Sequence, residues 1–328
     1  MNLFALGSYT SLGGPGIRVF TLDGDALSPL YDVWIKDPIW LEKSQDGRFL
    51  YGACGGEGPM EGFVAAFSPD GDFSRGMTEQ ARQEAHGVCP CHLCIAQSDL
   101  IAANYNSGSL SVFPLSEGLP LPLAQLIVRN GSGPHPRQVT SHMHQALPLP
   151  DGSFLAADLG GDAVVHYQKK QDEWVQVSSI PCPAGEGPRH VLARENVLYI
   201  ATELQSHLLV IKDGSIAQRF DLPEPGKTAG NAPAAIRLCP DGNTIAVSSR
   251  GADQVSFFHI GPSGLLQRGP SAPVFGAGPR DILPLGHGRF LAANQNSGGV
   301  TLVERNGDSF RLLSRMPVPA PVALVRLS

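Results

Sequence analysis

Long apolar runs are missing from this chain: nowhere in its 328 residues do about 18 apolar residues follow one another, so no transmembrane helix is expected. Charge is sparse, at 16% of residues, and the formal net charge is −6 with no basic run. That balance argues against nonspecific nucleic-acid binding. The first residues, MNLFALGSYT, offer neither a basic n-region nor a long apolar h-region. The expectation is therefore no Sec leader and a cytoplasmic location. The cysteines (Cys54, Cys89, Cys91, Cys94, Cys182 and Cys239) lack the spacing of a disulfide scaffold, which leaves reduced thiols as the default. No P-loop, dinucleotide-binding glycine pattern, G-x-S-x-G elbow or H-E-x-x-H motif occurs. The Trp-Asp dipeptide of WD-repeat scaffolds is also absent, the tryptophans being Trp34, Trp40 and Trp174.

Turn formers are abundant instead. Glycine (38) and proline (28) fill a fifth of the chain, well above a usual share of roughly 12%. A helix-dominated fold is thereby disfavoured. Yet 42% of residues are hydrophobic, enough for a sizeable core.

A repeat organises the chain. Its units start at Pro38, Pro90, His142, Pro188, Pro233 and Pro279, at intervals of 52, 52, 46, 45 and 46 residues. Each unit has a short apolar strand, a turn such as Asp151-Gly152 or Asp241-Gly242, a second apolar strand ending in a polar loop, and a third strand such as 254–258. A more variable fourth segment follows. This is the pattern of a four-stranded antiparallel meander, and units of this length are propeller blades. The ends complete the count. Residues 321–328 resemble a first strand that stops, and residues 2–22 a second and third strand with no first. Joined, they make a seventh blade. The sequence therefore predicts an all-β, seven-bladed β-propeller, one domain over residues 1–328, whose closing blade is built from both termini. A closed ring removes exposed sheet edges and is expected to be a monomer.

The meander also locates the chemistry. Residues just before strand one and just after strand two share one face around the axial channel. The first slot holds Cys91-His92, His142, His144, Arg189-His190 and Arg280-Asp281. The second holds Asn104-Tyr105-Asn106, Asp158, Glu203, Arg250 and Asn294-Gln295-Asn296. A His can merely brace a turn, and Asn or Asp often only shapes a loop. The concentration of His, Arg and Glu at one end nevertheless points to a site for a small anionic ligand. The CPCHLC stretch, Cys89 to Cys94, has no second Cys/His pair to complete a structural zinc site, and no metal is expected there.

Taken together, these residues resemble the bacterial lactonase family of seven-bladed propellers, to which 6-phosphogluconolactonases and the fungal carboxymuconate cyclase belong. The resemblance spans essentially the whole chain. It rests on GSYT from Gly7, PCHL from Pro90, NYNSGSLSV from Asn104 and GSGPHPRQ from Gly131, on His142 and His144, and on DLGGD from Asp158. GPRH from Gly187, TEL from Thr202, SRG from Ser249, GPRD from Gly278 and ANQNS from Ala293 complete it. It implies hydrolysis of a small anionic sugar lactone, foremost 6-phospho-D-glucono-1,5-lactone in the pentose phosphate pathway, with no organic cofactor and no essential metal. It assigns catalysis to His144, Arg189 and Glu203, with Arg250 or Arg280 as a second arginine. His144 is then the expected base, Glu203 its orienting partner or an alternative base, and Arg189 the oxyanion stabiliser. Arg137, Arg250 and Arg280 would bind phosphate or carboxylate. His92, Asn104, His142, Asp158, His190 and Asn294 complete the expected substrate-binding set. Departures from the family pattern stand at Ala235, Thr202, Ser249 and Cys54-Gly55-Gly56-Glu57. A carboxymuconate-type cyclase or a lactonase for another small acid, and a non-enzymatic protein-binding propeller, are the rival readings.

Overall fold

The computed structural model describes residues 2–55, 61–223, 230–307 and 309–328; Gly56 and Glu57, named above, lie outside them. Seven antiparallel sheets form a ring, and among the described residues the one helical element is a 3-10 turn at Thr10–Leu12. The seven-bladed propeller follows. Numbered around the ring, the innermost strands are Pro321–Arg326 (blade one), Pro38–Lys43, Pro90–Ala96, Met143–Pro148, Pro188–Arg194, Ala232–Leu238 and Pro279–Gly286 (blade seven). Each contacts its ring neighbours, seven closing on one. Blade one joins both termini, Pro321–Arg326 pairing Asn2–Ser8 with Phe4 opposite Arg326 and Leu6 opposite Leu324. Blade three carries one extra short strand, Leu119–Pro120.

The hydrophobic pattern explains the stacking. Second strands such as Asp99–Asn104 and Val197–Thr202 are buried at every position, because sheets cover both faces. Continuous rather than alternating apolar runs are what that demands. Outer strands such as Gln125–Val128 alternate. A separate apolar cluster fills each gap between blades, including seven against one, where Phe4, Leu6 and Leu324 meet Leu291, Val300 and Leu302.

One irregularity recurs. Every inner strand slips register against its second strand near its start. The residues left over are Val322, Ile39, Cys91, His144, Arg189, the pair Ala234-Ala235, and Arg280. A bulge of this kind re-aims a side chain. Here it turns one residue of each blade toward the axis.

Candidate active site

The bulges divide the channel mouth into two arcs. Ile39, Cys91 and Val322 cluster with Tyr9, Cys89 and Ala320 into an apolar wall. His144, Arg189 and Arg280 face it with charge and imidazole.

Glu203 is the centre of the charged arc. It follows the second strand of blade five and is 6% exposed. Its Oε2 accepts from Arg189 Nε at 3.0 Å and lies 2.8 Å from Arg250 Nη2; its Oε1 meets Arg137 Nη1 at 2.7 Å. Burial alone would raise its pKa, but Arg250, Arg189, His144 and Arg137 together hold it well below the usual carboxylate range. A carboxylate so fully committed is a poor proton acceptor. Glu203 is thus built to hold arginines, and the expectation that it could serve as an alternative base finds no support in this geometry.

Arg189 is 3% exposed. Besides Glu203, it donates through Nη1 to Ala234 O at 2.8 Å and to His190 Nε2 at 3.1 Å. A guanidinium only donates, so His190 must offer a neutral nitrogen. Burial, then Arg250, pushes the Arg189 pKa down to about 9; the group is still a cation at neutral pH, in a dry site. Gly187 prepares this turn. Its φ is +63°, and a Cβ there would meet Leu204 at 2.5 Å, so the GPRH segment requires glycine.

Arg137 comes from the segment between blades three and four. Gln138 anchors that segment, its Nε2 donating to Leu159 O at 2.8 Å and Asp162 Oδ1 at 2.7 Å. Arg137 Nη2 donates to Tyr105 Oη at 2.8 Å. Tyr105 in turn stacks on His142, centroids 4.4 Å apart, and its carbonyl accepts from His142 Nδ1 at 2.8 Å. Tyr105 lay in a recognised slot, but its chemistry went unremarked there. Its hydroxyl and ring face are what tie Arg137 to His142.

His144, 5% exposed, sits edge-on to Tyr105 and His190 at 5.5 and 5.4 Å. Its Nδ1 is 4.0 Å from Cys91 Sγ. Burial first, then Arg189, drives its pKa well below the ordinary 6.5, despite the opposing pull of Glu203. At neutral pH it is a free base. Arg280 adds to the positive field on both His144 and Arg189, donates to Gln295 Oε1 at 3.3 Å, and lies over the Tyr9 ring. Four guanidinium groups therefore surround one carboxylate and a neutral imidazole, and the excess charge is positive.

The remaining predicted residues lie elsewhere. His92 and His190 form the floor. His92 stacks on Trp40 at 4.0 Å, and His190 abuts both edge-on. Asn104, Asp158 and Asn294 turn into their own blades, a correction to their expected place at the ligand. Asn104 Nδ2 donates to Ser109 and Ser111 hydroxyls at 3.1 and 2.8 Å. Asn294 Nδ2 donates to Thr301 Oγ1 at 2.9 Å. Asp158 accepts from Ser141 Oγ, His142 N and Gly161 N at 2.8–2.9 Å. Each ends a second strand and ties it to the loop or strand that follows. Of the cysteine stretch, Cys94 is packed in the core between blades three and four, while Cys89 and Cys91 belong to the apolar wall.

The chain matches the family described as Lactonase, 7-bladed beta-propeller over residues 3–325. It belongs to this lactonase propeller family. The 6-phosphogluconolactonase of Bacillus subtilis (strain 168) is 30% identical, the match covering 97% of this chain and 96% of that protein. Among solved structures, the periplasmic gluconolactonase of Pseudomonas aeruginosa superposes on this lactonase-family propeller with a TM-score of 0.92 at 27% identity, covering 100% of this chain and 99% of that one. A protein from Lactobacillus plantarum does so with a TM-score of 0.90 at 27% identity over the whole of both chains.

Proposed function

We propose that this lactonase-family chain hydrolyses 6-phospho-D-glucono-1,5-lactone to 6-phosphogluconate, a step of the pentose phosphate pathway. The observation that carries the reading is the neutral, buried imidazole of His144 beside an excess of guanidinium charge. Lactone hydrolysis needs both. In the proposed mechanism His144 takes a proton from water as the water oxygen bonds to the lactone carbonyl carbon. The carbonyl oxygen becomes an oxyanion, stabilised by Arg189, whose fixed charge helps most where charge develops in a dry site. The ring C–O bond then breaks, and its oxygen takes the proton back from His144. The new carboxylic acid ionises, releasing a proton to solvent. Glu203 holds Arg137, Arg189 and Arg250 in register, and Arg137, Arg250 and Arg280 supply the field that holds the phosphate.

The named relatives include both a 6-phosphogluconolactonase and a gluconolactonase, which makes phosphate dependence the informative measurement. Purified protein is assayed on 6-phosphogluconolactone and gluconolactone side by side, with spontaneous hydrolysis subtracted. Acceleration confined to, or much stronger on, the phosphorylated lactone is the expected result. No acceleration of either would overturn the assignment.

A further inference from the structure

Beyond the Trp40–His92–His190 floor, the channel opens again. A chamber of about 350 Å³ lies toward the Asp-Gly turns, lined from six of the seven inner strands. Its chemistry is the reverse of the mouth's. Glu42 presents a carboxylate, engaged only at 3.4 Å by Trp40 Nε1 among its described hydrogen bonds. Among the described residues the one guanidinium lining the chamber, that of Arg237, is already used. It grips both oxygens of Asp281 at 2.8–3.2 Å and stacks over Trp40, 4.9 Å from the ring centroid. Arg237 is thereby matched by Asp281, and Glu42 has no guanidinium hydrogen-bonded to it among the described residues. His92 is 4% exposed, and its Nδ1 finds no hydrogen-bond partner of ordinary geometry among the described residues. Burial and the nearby Arg237 and Arg189 keep that ring neutral, and in the tautomer that carries its proton on Nε2 the Nδ1 lone pair accepts a donor. The walls are apolar, with Leu147, Leu192 and Leu283 among them.

We propose that this chamber is a second ligand site, separate from the lactone site, for a small organic cation: an alkylammonium whose head group meets Glu42 and His92 while its chain lies on the leucines. The apolar walls and single available carboxylate argue against a hard metal ion, which needs about six oxygen ligands. The volume falls within the range of about 300–1,000 Å³ seen for small-molecule sites. An anion would meet no unpaired cation there.

The test is calorimetric titration of the full chain with butylammonium, butyrate and 1-butanol, each at the same ionic strength. Butylammonium is expected to bind with a Kd of about 1 mM or tighter, and butyrate at least about tenfold more weakly. Glu42→Gln is expected to weaken butylammonium binding by about tenfold. Should that variant fail to fold, Leu192→Phe, which narrows the chamber, is expected to weaken it in the same way. Saturating 6-phosphogluconate must leave the amine affinity unchanged. Undetectable binding of butylammonium, equal binding of butyrate, indifference to Glu42→Gln, or displacement by 6-phosphogluconate would each overturn the proposal. Because the readout is binding of an amine, it stands or falls independently of the lactone assignment.

Discussion

The mouth and the far chamber of the channel share the inner strands, yet they differ in chemistry, the mouth drawing Arg137, Glu203 and Arg250 from the loops and second strands around them. At the mouth, Arg137, Arg189, Arg250 and Arg280 outnumber Glu203. In the chamber, Arg237 is matched by Asp281 behind the wall, and Glu42 has no such partner among the described residues. The backbone marks the mouth with a bulge in every inner strand, and beyond it each strand carries its side chains on toward the far end. The difference lies in which letters fall at the bulge and which fall further along. Fold therefore gives the address, and the residues placed there give the chemistry.

The comparison can be broken at the mouth first. His144→Ala is expected to lower kcat for the phosphorylated lactone by about a hundredfold or more, the usual worth of a general base. Circular dichroism should show the fold intact. The wild-type pH profile sharpens the same point. The depressed pKa of His144 keeps the base neutral as the medium acidifies, so the acid limb of kcat/KM should fall below about pH 6.5. A limb at or above that value would remove His144 from the role.

Arg189→Met comes next, with an expected loss of about a hundredfold in kcat as one oxyanion-stabilising group is removed. KM should move far less. Glu203→Gln tests the claim that this carboxylate holds arginines. Leaving buried guanidinium groups without their anion is expected to cost about 3–5 kcal/mol of stability in urea unfolding, alongside the loss of activity. A variant as stable as wild type would contradict it.

The smallest effect is expected in the chamber. Burial pushes the Glu42 carboxyl up from its ordinary 4.5 to about 7. The folded state then binds a proton more tightly than the unfolded state. That contribution to stability is fully present below about pH 4.5 and is lost as pH rises through about 7. Glu42→Gln should therefore gain on wild type between pH 5 and pH 8, by on the order of 2 kcal/mol after discounting for partial exposure. Urea midpoints at the two pH values measure it. No change in the difference would place Glu42 in contact with water.

Much of this was legible in the sequence. The repeat, its period and the split seventh unit yield the ring because each is a direct consequence of strand and turn chemistry. The two slots of the meander likewise place His144, Arg189, Glu203 and Arg250 at one end. Side-chain direction is not written in that spacing. Asn104, Asp158 and Asn294 occupy the right position along their strands, but spacing does not show which way a terminal side chain turns. His144, Arg189 and Arg280 lie within the inner strands, at bulges, rather than before them. A bulge adds a residue without any composition of its own, so nothing in the letters marks it. Trp40 and Glu42 had a signal that went unused. They follow the bulge at the two-residue spacing of one strand face, and Trp40 holds the same post-bulge position as His92 and His190.

The repeated bulge gives the mouth seven places, one to a blade with a pair in the sixth, each standing outside the regular pairing of the sheet that carries it. In order they spell Val322, Ile39, Cys91, His144, Arg189, Ala234-Ala235 and Arg280. Such a ring behaves as a short word written on a rigid page. Changing one letter changes what stands at the mouth rather than the strand pairing of the blade that carries it.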